Sequence, residues 1–363
     1  MKNMLTRTAL ASSVLLLSVS AASAQTTVSG NLDLVYKAVS SDKVTGNSYR
    51  YFGKESQINI GNKGKLNNGM DYAAGFSLEF DGSDANPNQT IAQQTVTSEG
   101  MFSENVFIDL ISGNTTITFG ADHIQNPDKA VTNLVGIMDP DDAASGVTIA
   151  KGAELATAFN TTHNSAYQAY GIGVIQTIPS VGKLSFNYTP DRNTGRANSD
   201  TTGVNTTANQ MDTYDAGQSA YEIGFIGDFG VKGLEFQAFI NNSEKEAVAN
   251  TSDLEGRMYA IKYNMGQVTV AAQRGETTSL ANVEKTSDSF AIAYALSPNL
   301  SAGVTYAKTK QDAAVADEKI TQLSLGYNLG PVLAGISYAT IENTALTADA
   351  DGKTLAVKLS TKF

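Results

Sequence analysis

Six carboxylates stand in one polar segment of the sequence, residues 121–164, against only two basic residues, Lys129 and Lys151. They are Asp122, Asp128, Asp139, Asp141, Asp142 and Glu154. Carboxylates that line a confined aqueous passage raise the local concentration of cations and oppose the entry of anions. The same composition is also typical of a solvated surface loop. This acidic segment therefore predicts either a cation-attracting constriction or an external loop.

Metal binding is a second chemistry open to the acidic segment. Asp139, Asp141 and Asp142 surround one proline and could offer oxygens to Ca²⁺, which prefers several carboxylate ligands. Their spacing matches no calcium loop, and a turn begun by the proline is the default interpretation. His123 and His163 bracket the segment, but a catalytic zinc needs a third ligand and supporting hydrogen bonds. We predict no metal site, with calcium at the three aspartates as the weaker alternative.

Signatures of enzymatic chemistry are missing from the sequence. It contains no G-x-S-x-G nucleophile elbow, no Walker phosphate loop and no H-E-x-x-H helix motif. It also contains no cysteine, which excludes disulfides, thiolate zinc sites and a cysteine nucleophile. The sequence therefore predicts a protein that is not an enzyme and that carries no cofactor.

The N-terminus predicts a secretory signal peptide. Lys2 and Arg7 form a short positive region, an apolar stretch follows, and residues 22–24 are small, as signal peptidase requires. The apolar stretch is about half of the roughly 20 residues that a spanning helix needs, so a membrane anchor is the less favoured alternative. Residues 1–24 are expected to be removed, which leaves residues 25–363 as one domain.

The mature chain is acidic. Removing the first 24 residues takes away two basic residues and no acidic ones, which leaves 23 Lys and Arg against 36 Asp and Glu, a net charge of −13. Such a chain has no basic surface with which to replace the counterions of a phosphate backbone. We therefore predict that nucleic acid is not a partner.

Apolar and polar residues alternate along much of the mature chain. Leu355, Val357 and Leu359 fall on one parity, whereas Lys358 and Ser360 fall on the other. A β-strand places such residues on two opposite faces, but a helix would put the apolar ones on opposite sides. Nine further clear runs and six weaker ones, at 53–60, 105–111, 115–120, 165–178, 268–273 and 300–307, bring the count to 16. An even count is typical of a closed bacterial barrel.

The connectors between these runs alternate in length. Short ones rich in turn residues, such as 112–114, 266–267 and 330–331, are separated by long polar ones. The long ones are residues 39–50, 81–104, 121–164, 191–218, 241–255, 274–286, 308–319 and 341–353. Outer-membrane barrels have tight periplasmic turns and long external loops, whereas a soluble sandwich has no reason to sort its loops.

These features predict an all-β protein, a transmembrane antiparallel up-and-down β-barrel of 16 strands. Closure pairs every backbone amide, and an unpaired one costs several kcal/mol in hydrocarbon. The polar parity would then face water inside, in a barrel too wide for side chains to fill. This parity carries Asp33, Lys37, Asp71, Glu79, Glu222, Glu235, Lys262, Lys358 and Lys362.

The order of several short segments resembles the Gram-negative general porins, particularly the 16-stranded trimeric group. The segments are VSGNLD at 28–33, SQINI at 56–60 leading to NGMDY at 68–72, ITFG at 117–120 and LSTKF at 359–363. The resemblance implies a homotrimer whose third external loop, the acidic segment, folds into the pore as a constriction. It implies ion flow between loop acids and wall bases, for which Lys37, Lys262 and Lys358 are candidates. Gln57 departs from the pattern, because relatives tend to have an arginine there.

The resemblance also gives the C-terminal Phe363 a role as the signal read by the outer-membrane assembly machinery, in addition to ending the last strand. We predict a channel in the Gram-negative outer membrane, reached through the periplasm, that contacts lipid and passes small hydrophilic solutes and ions by passive diffusion with a mild cation preference. A substrate-selective channel for sugars, phosphate or dicarboxylates is the alternative, although no ladder of inward aromatic or basic residues is visible. An enzyme or adhesin built on a barrel would need a Ser/His/Asp set or a passenger domain.

Overall fold

The computed structural model describes residues 25–41, 49–81, 101–121, 131–138, 171–190, 219–243, 254–278 and 283–363. Sixteen β-strands and one short 3-10 helix, Thr344–Leu346, occupy these ranges. Within the described ranges, no helix is long and apolar enough to cross a membrane. The predicted signal peptide, residues 1–24, lies outside them.

The strands follow one another in chain order and are joined by connectors that alternate in length. They are β1 (Gln25–Ser41), β2 (Tyr49–Lys65), β3 (Asp71–Asp81), β4 (Met101–Ser112), β5 (Thr115–Ala121), β6 (Gly171–Ile178), β7 (Gly182–Thr189), β8 (Ala220–Gly227), β9 (Leu234–Ser243), β10 (Leu254–Met265), β11 (Val268–Thr278), β12 (Glu284–Ala295), β13 (Leu300–Gln311), β14 (Glu318–Asn328), β15 (Val332–Glu342) and β16 (Gly352–Lys362).

The sheet closes on itself as a barrel. Each strand pairs antiparallel with its neighbours in the sequence, and β1 pairs with both β2 and β16. At the seam Phe363 donates its N–H to the carbonyl of Gly30 at 3.0 Å, and Gly30 donates to the carbonyl of Phe363 at 2.7 Å. A closed sheet leaves no strand edge with unpaired amides. The predicted fold class, a 16-stranded antiparallel barrel, is confirmed.

The two faces of the wall differ as the alternation predicts. On β12, Phe290, Ile292 and Tyr294 are exposed, whereas Ser289, Ala291 and Ala293 between them are buried. The same exposed apolar parity runs around the barrel through residues such as Ile223 and Leu323. An apolar outer band with an inward face of the opposite parity is the arrangement required of a barrel in lipid.

Tight turns connect neighbouring strands at one end of the barrel. Gly266 and Gly330 have φ values of 85° and 93°, in the left-handed region that favours glycine. In both turns an asparagine two residues earlier accepts the glycine N–H, from Gly266 to Asn264 Oδ1 at 2.9 Å and from Gly330 to Asn328 Oδ1 at 2.8 Å. The short connectors predicted at 266–267 and 330–331 are therefore confirmed.

At the opposite end several strands run further than the sequence predicts. β11 continues to Thr278 and β12 begins at Glu284, so most of the loop predicted at 274–286 is strand. The prediction was wrong because the outward side chains there are charged, and charge was assigned to loops. The charges instead pair across strands, as between Arg274 and Asp288 at 3.4 Å and between Lys319 and Glu342 at 2.9 Å.

Candidate functional site

The inward face of β1 and β16 carries a paired acid and base. The Asp33 carboxylate accepts hydrogen bonds from the Lys358 ammonium and from the Ser360 hydroxyl. Both charged side chains are about 15% exposed, 16% for Lys358 and 15% for Asp33. Lys358, one of the predicted wall bases, is therefore neutralised by a neighbour on the next strand.

A second inward pair joins β9 and β10. Lys262 Nζ lies 2.7 Å from Glu235 Oε2, and the two residues face each other in the strand register. Glu235 also accepts a hydrogen bond from Gln237 Nε2 at 2.8 Å. Lys37, the third predicted base, lies on the inward parity of β1 and is almost fully buried. The function of the three lysines at a constriction stays a prediction.

The predicted loop acids lie outside the described residues. This applies to Asp122, Asp128, Asp139, Asp141, Asp142 and Glu154, and to His123 and His163. The negative constriction and the calcium alternative at Asp139, Asp141 and Asp142 therefore stay predictions.

One part of the acidic segment is described, residues 131–138, here called the wall-bound segment. Its main chain and side chains form hydrogen bonds with four consecutive strands. Val131 N–H donates to Gln273 Oε1 on β11 at 2.8 Å, and the hydroxyls of Thr132 and Ser289 on β12 lie 3.1 Å apart. The Thr305 hydroxyl on β13 donates to the Thr132 carbonyl at 3.2 Å.

The C-terminal end of the wall-bound segment is held in the same way. Gln322 Nε2 on β14 donates to the Met138 carbonyl at 2.7 Å and also to the Ser337 hydroxyl at 2.8 Å. The strand register places Gln273 opposite Ser289 and Thr305 opposite Gln322, all on the parity opposite to the exposed Phe290. The wall-bound segment therefore contacts side chains of the inward face.

Apolar side chains on the inward face were missed in the sequence. Phe239, Met258, Ile320 and Ile341 lie on the parity predicted to face water, and each is at most 1% exposed. Phe239 and Met258 cluster with Val131, whereas Ile320 and Ile341 cluster with residues at the other end of the wall-bound segment. The prediction that this parity meets only water was wrong, because a distant segment covers part of it. A local signal existed in the consecutive apolar residues at 238–240.

The wall across β4–β7 is polar instead. Asp109, Thr116, Thr118, Thr177 and Lys183 line a recess of about 150 Å³ together with two isoleucines. The Thr118 hydroxyl donates to Asp109 Oδ1 at 2.6 Å, between the inward faces of β5 and β4. The two sides of the interior thus differ, because the wall-bound segment covers a mixed apolar and polar wall on β11–β15, whereas the recess on β4–β7 is lined mainly by hydroxyls and charges.

A buried polar row crosses β7, β8 and β9. Asn187, Glu222 and Asn241 are adjacent in the strand register, and each is at most 2% exposed. Asn187 Nδ2 donates to Glu222 Oε2 at 3.3 Å. Glu222 was expected to face the aqueous interior, and its burial corrects that expectation.

The sequence as a whole was compared with known families. A family model described as Gram-negative porin matches residues 9–345. The chain belongs to the Gram-negative porin family. This porin is accordingly an outer-membrane channel protein, and the family predicted from its short segments is confirmed. No curated protein matches the sequence.

Solved structures share the fold of this porin. An anion-selective porin from Comamonas acidovorans is 14% identical, with 94% of this chain and 100% of that chain covered and a TM-score of 0.65. OmpF of Salmonella typhi, in complex with daunomycin, is 12% identical over 93% and 97% of the chains, with a TM-score of 0.60. OmpT of Vibrio cholerae, in its trimer form, is 15% identical over 94% and 99%, with a TM-score of 0.54. At such identities the likeness concerns the fold alone.

Proposed function

We propose that this porin passes small hydrophilic solutes and ions by passive diffusion, with a preference for cations. The observation that carries the proposal is the closed 16-stranded barrel with unlike inner walls. A barrel of this size encloses more space than its own side chains fill. The polar wall of β4–β7, with Asp109, Thr118 and Lys183, offers hydrogen-bonding groups to water and solutes along that space.

The proposed constriction is the acidic segment folded into the channel. Support comes from the wall-bound segment, whose Thr132 and Met138 make hydrogen bonds to inward side chains of β12, β13 and β14. Asp139 follows Met138 directly in the chain, and consecutive Cα atoms are about 3.8 Å apart. The Met138 carbonyl is anchored to the inner wall by Gln322, and this anchor directly before Asp139 supports the proposal that the acidic segment enters the channel.

The proposed cation preference follows from unequal neutralisation of charge. Two candidate wall bases, Lys358 and Lys262, already pair with Asp33 and Glu235. The acidic segment has six carboxylates and two lysines, and the wall then adds little positive charge to balance this excess. Fixed negative charge in a narrow passage attracts cations. The anion-selective porin of Comamonas acidovorans has the same fold, so side chains, and not the barrel fold, decide whether such a channel prefers cations or anions.

Reversal potentials in planar bilayers under a KCl gradient test this function. Wild-type protein should show the sign expected for cation preference, and the Asp139, Asp141 and Asp142 to Asn triple variant should reduce the potential. A matched triple variant, Asn at Asp312, Asp349 and Asp351, removes the same charge from exposed positions and should leave the potential unchanged. Anion preference in the wild type would refute the selectivity, and absence of conductance would refute the channel.

We further propose that the porin is a homotrimer and that Phe363 is read by the outer-membrane assembly machinery. OmpT of Vibrio cholerae, which has the same fold, has been solved in a trimer form. The Phe363 side chain is exposed at the seam of β1 and β16, where an assembly factor can reach it. Light scattering of the purified protein in detergent should give three chains per particle, and a monomer would contradict the trimer.

A further inference from the structure

Three glycines of the inward wall lie directly under the wall-bound segment. Gly335 on β15 faces Gly326 on β14 in the strand register, and Gly303 lies on β13. A Cβ atom added to Gly335 would lie 1.5 Å from Ile137 Cδ1. Added at Gly303 or Gly326, it would lie 2.6 Å from Val135 Cγ2 or 2.9 Å from Val135 Cγ1. Carbon atoms in van der Waals contact stand about 3.5 to 4.0 Å apart, so a side chain at any of these positions requires Val135 or Ile137 to move.

Close packing against the wall-bound segment, not backbone conformation, favours glycine at these positions. None of the three has a φ value in the left-handed region that would itself select glycine. Glycine inside a strand weakens the strand and often marks the close approach of another part of the chain. Three such residues on adjacent strands, all under Val135 and Ile137, indicate one shared purpose.

We propose that Gly303, Gly326 and Gly335 form a glycine seat that positions the wall-bound segment and thereby sets the width of the channel. This inference rests on the proposed constriction by the acidic segment. Val135 and Ile137 are 3% and 4% exposed, so nearly all of their aliphatic surface is removed from water at the seat. They pack there with inward alanines and isoleucines of β12 to β15, among them Ala293 and Ile341.

The seat works with the polar contacts at the ends of the segment. Hydrogen bonds hold Val131 to Gln273 and Met138 to Gln322, but the residues between them depend on packing. Close-packed contacts are sensitive to the addition of a single methyl group. A methyl group at the seat should therefore displace the centre of the segment away from the wall, into the channel.

Alanine at Gly335 is the direct test. The Gly335→Ala variant should lower the unitary conductance in planar bilayers by a factor of about 1.5 to 2, because a displaced segment narrows the pore. Adding Ile137→Ala removes both Ile137 atoms that the new methyl group would meet, and the double variant should return towards the wild-type conductance. Gly61→Ala is the matched control, since its Cβ would stand 3.4 Å from Thr27 Oγ1, an ordinary contact, and conductance should not change.

The outcomes separate this inference from the proposed function. A wild-type channel that conducts, together with a Gly335→Ala channel of unchanged conductance, overturns the seat and leaves the channel intact. Loss of conductance in the wild type itself overturns the proposed function. Should Gly335→Ala fail to fold, Ile137→Ala alone, which alters no strand, should increase open-channel noise by at least about twofold because the segment loses its packing. Unchanged noise in that variant overturns the seat.

Discussion

Gln322 on β14 donates a hydrogen bond of 2.7 Å to the carbonyl of Met138, a residue 184 positions earlier in the chain. The same amide nitrogen also reaches the Ser337 hydroxyl on β15, and Gln322 is itself almost fully buried. One side chain therefore joins two strands of the wall to the segment that covers them. Its loss affects the wall and the segment together.

Replacing Gln322 with Ala should destabilise the segment without opening the barrel. The buried Met138 carbonyl would lose its donor, which costs about 1–3 kcal/mol. We expect a lower temperature for the heat-induced shift in gel mobility and noisier open-channel currents. Gln176→Ala, at an exposed position on β6, is the control and should change neither measurement. A Gln322→Ala protein with wild-type currents would contradict the anchoring.

A disulfide between residues 132 and 289 should lock the segment where the structure has it. The hydroxyls of Thr132 and Ser289 lie 3.1 Å apart, and the chain contains no cysteine to compete. The Thr132→Cys, Ser289→Cys double variant should oxidise to one intramolecular bond, visible as the loss of both free thiols, and keep the wild-type unitary conductance. The reduced protein is its own control. Thiols that stay free under oxidant would show that the segment lies elsewhere.

Replacing Asp33, the acid of the Asp33–Lys358 pair between β1 and β16, should lower the stability of the barrel and change its ion selectivity. Asp33→Asn leaves the Lys358 charge without its carboxylate partner inside the wall, where the cost is about 1–3 kcal/mol. We expect a lower urea midpoint, followed by tyrosine fluorescence or circular dichroism, and a shift of the reversal potential towards anions. Adding Lys358→Met removes the unpaired charge and should reverse the shift in potential. A potential unmoved by Asp33→Asn would place this pair away from the ion path.

Exposed ion pairs on the outer face, near the ends of the strands, should contribute far less to stability and selectivity. Arg274 contacts Glu276 at 2.8 Å and Asp288 at 3.4 Å, but its side chain is 52% exposed. Exposed ion pairs contribute about 0–1 kcal/mol. Arg274→Gln should therefore move the urea midpoint only slightly and leave the reversal potential as it is. A loss of stability as large as that of Asp33→Asn would show that these exposed pairs hold the strand ends.

Deleting the side chain of Phe363 should separate assembly in the cell from folding in vitro. With Phe363→Ala we expect less protein in the outer membrane, measured by quantitative blotting, but normal folding from urea into detergent micelles. The backbone bonds between Phe363 and Gly30 do not need the ring. Phe229→Ala, another exposed aromatic, serves as the control. If refolding in vitro fails as well, the ring belongs to the strand pairing and not to recognition.

The strand faces were predictable because a period of two is a local property of the sequence. The alternating positions of Phe290, Ile292 and Tyr294 predict one face of β12 from that segment of the sequence alone. The ends of the strands were not predictable, since Arg274 was assigned to the loop at 274–286, whereas the register places it on β11 beside Asp288 of β12. Charge is costly on the outer face only at membrane depth, and the sequence does not state that depth.

The contacts between inward side chains could not be predicted from the alternation. Asp33 and Lys358 both fall on the inward parity, but the parity does not tell which residues of β1 and β16 meet. Phe239 and Met258 pack in one cluster with Val131, which lies more than a hundred positions away and which no local pattern connects to them. The glycines under Ile137 look like ordinary strand glycines until the segment is placed on them.

The hydrogen bonds between Gly30 and Phe363, at the seam of the barrel, have a consequence for how the protein folds. These two bonds join the first strand to the last, so they bridge nearly the longest stretch of chain that the molecule offers, and such contacts form late. Until β16 pairs with its neighbours, β1 and β15 each expose a strand edge with unpaired backbone groups. Such edges can pair with strands of other chains. A partly folded barrel therefore exposes two strand edges, and these edges are covered only when β16 has paired with both β1 and β15.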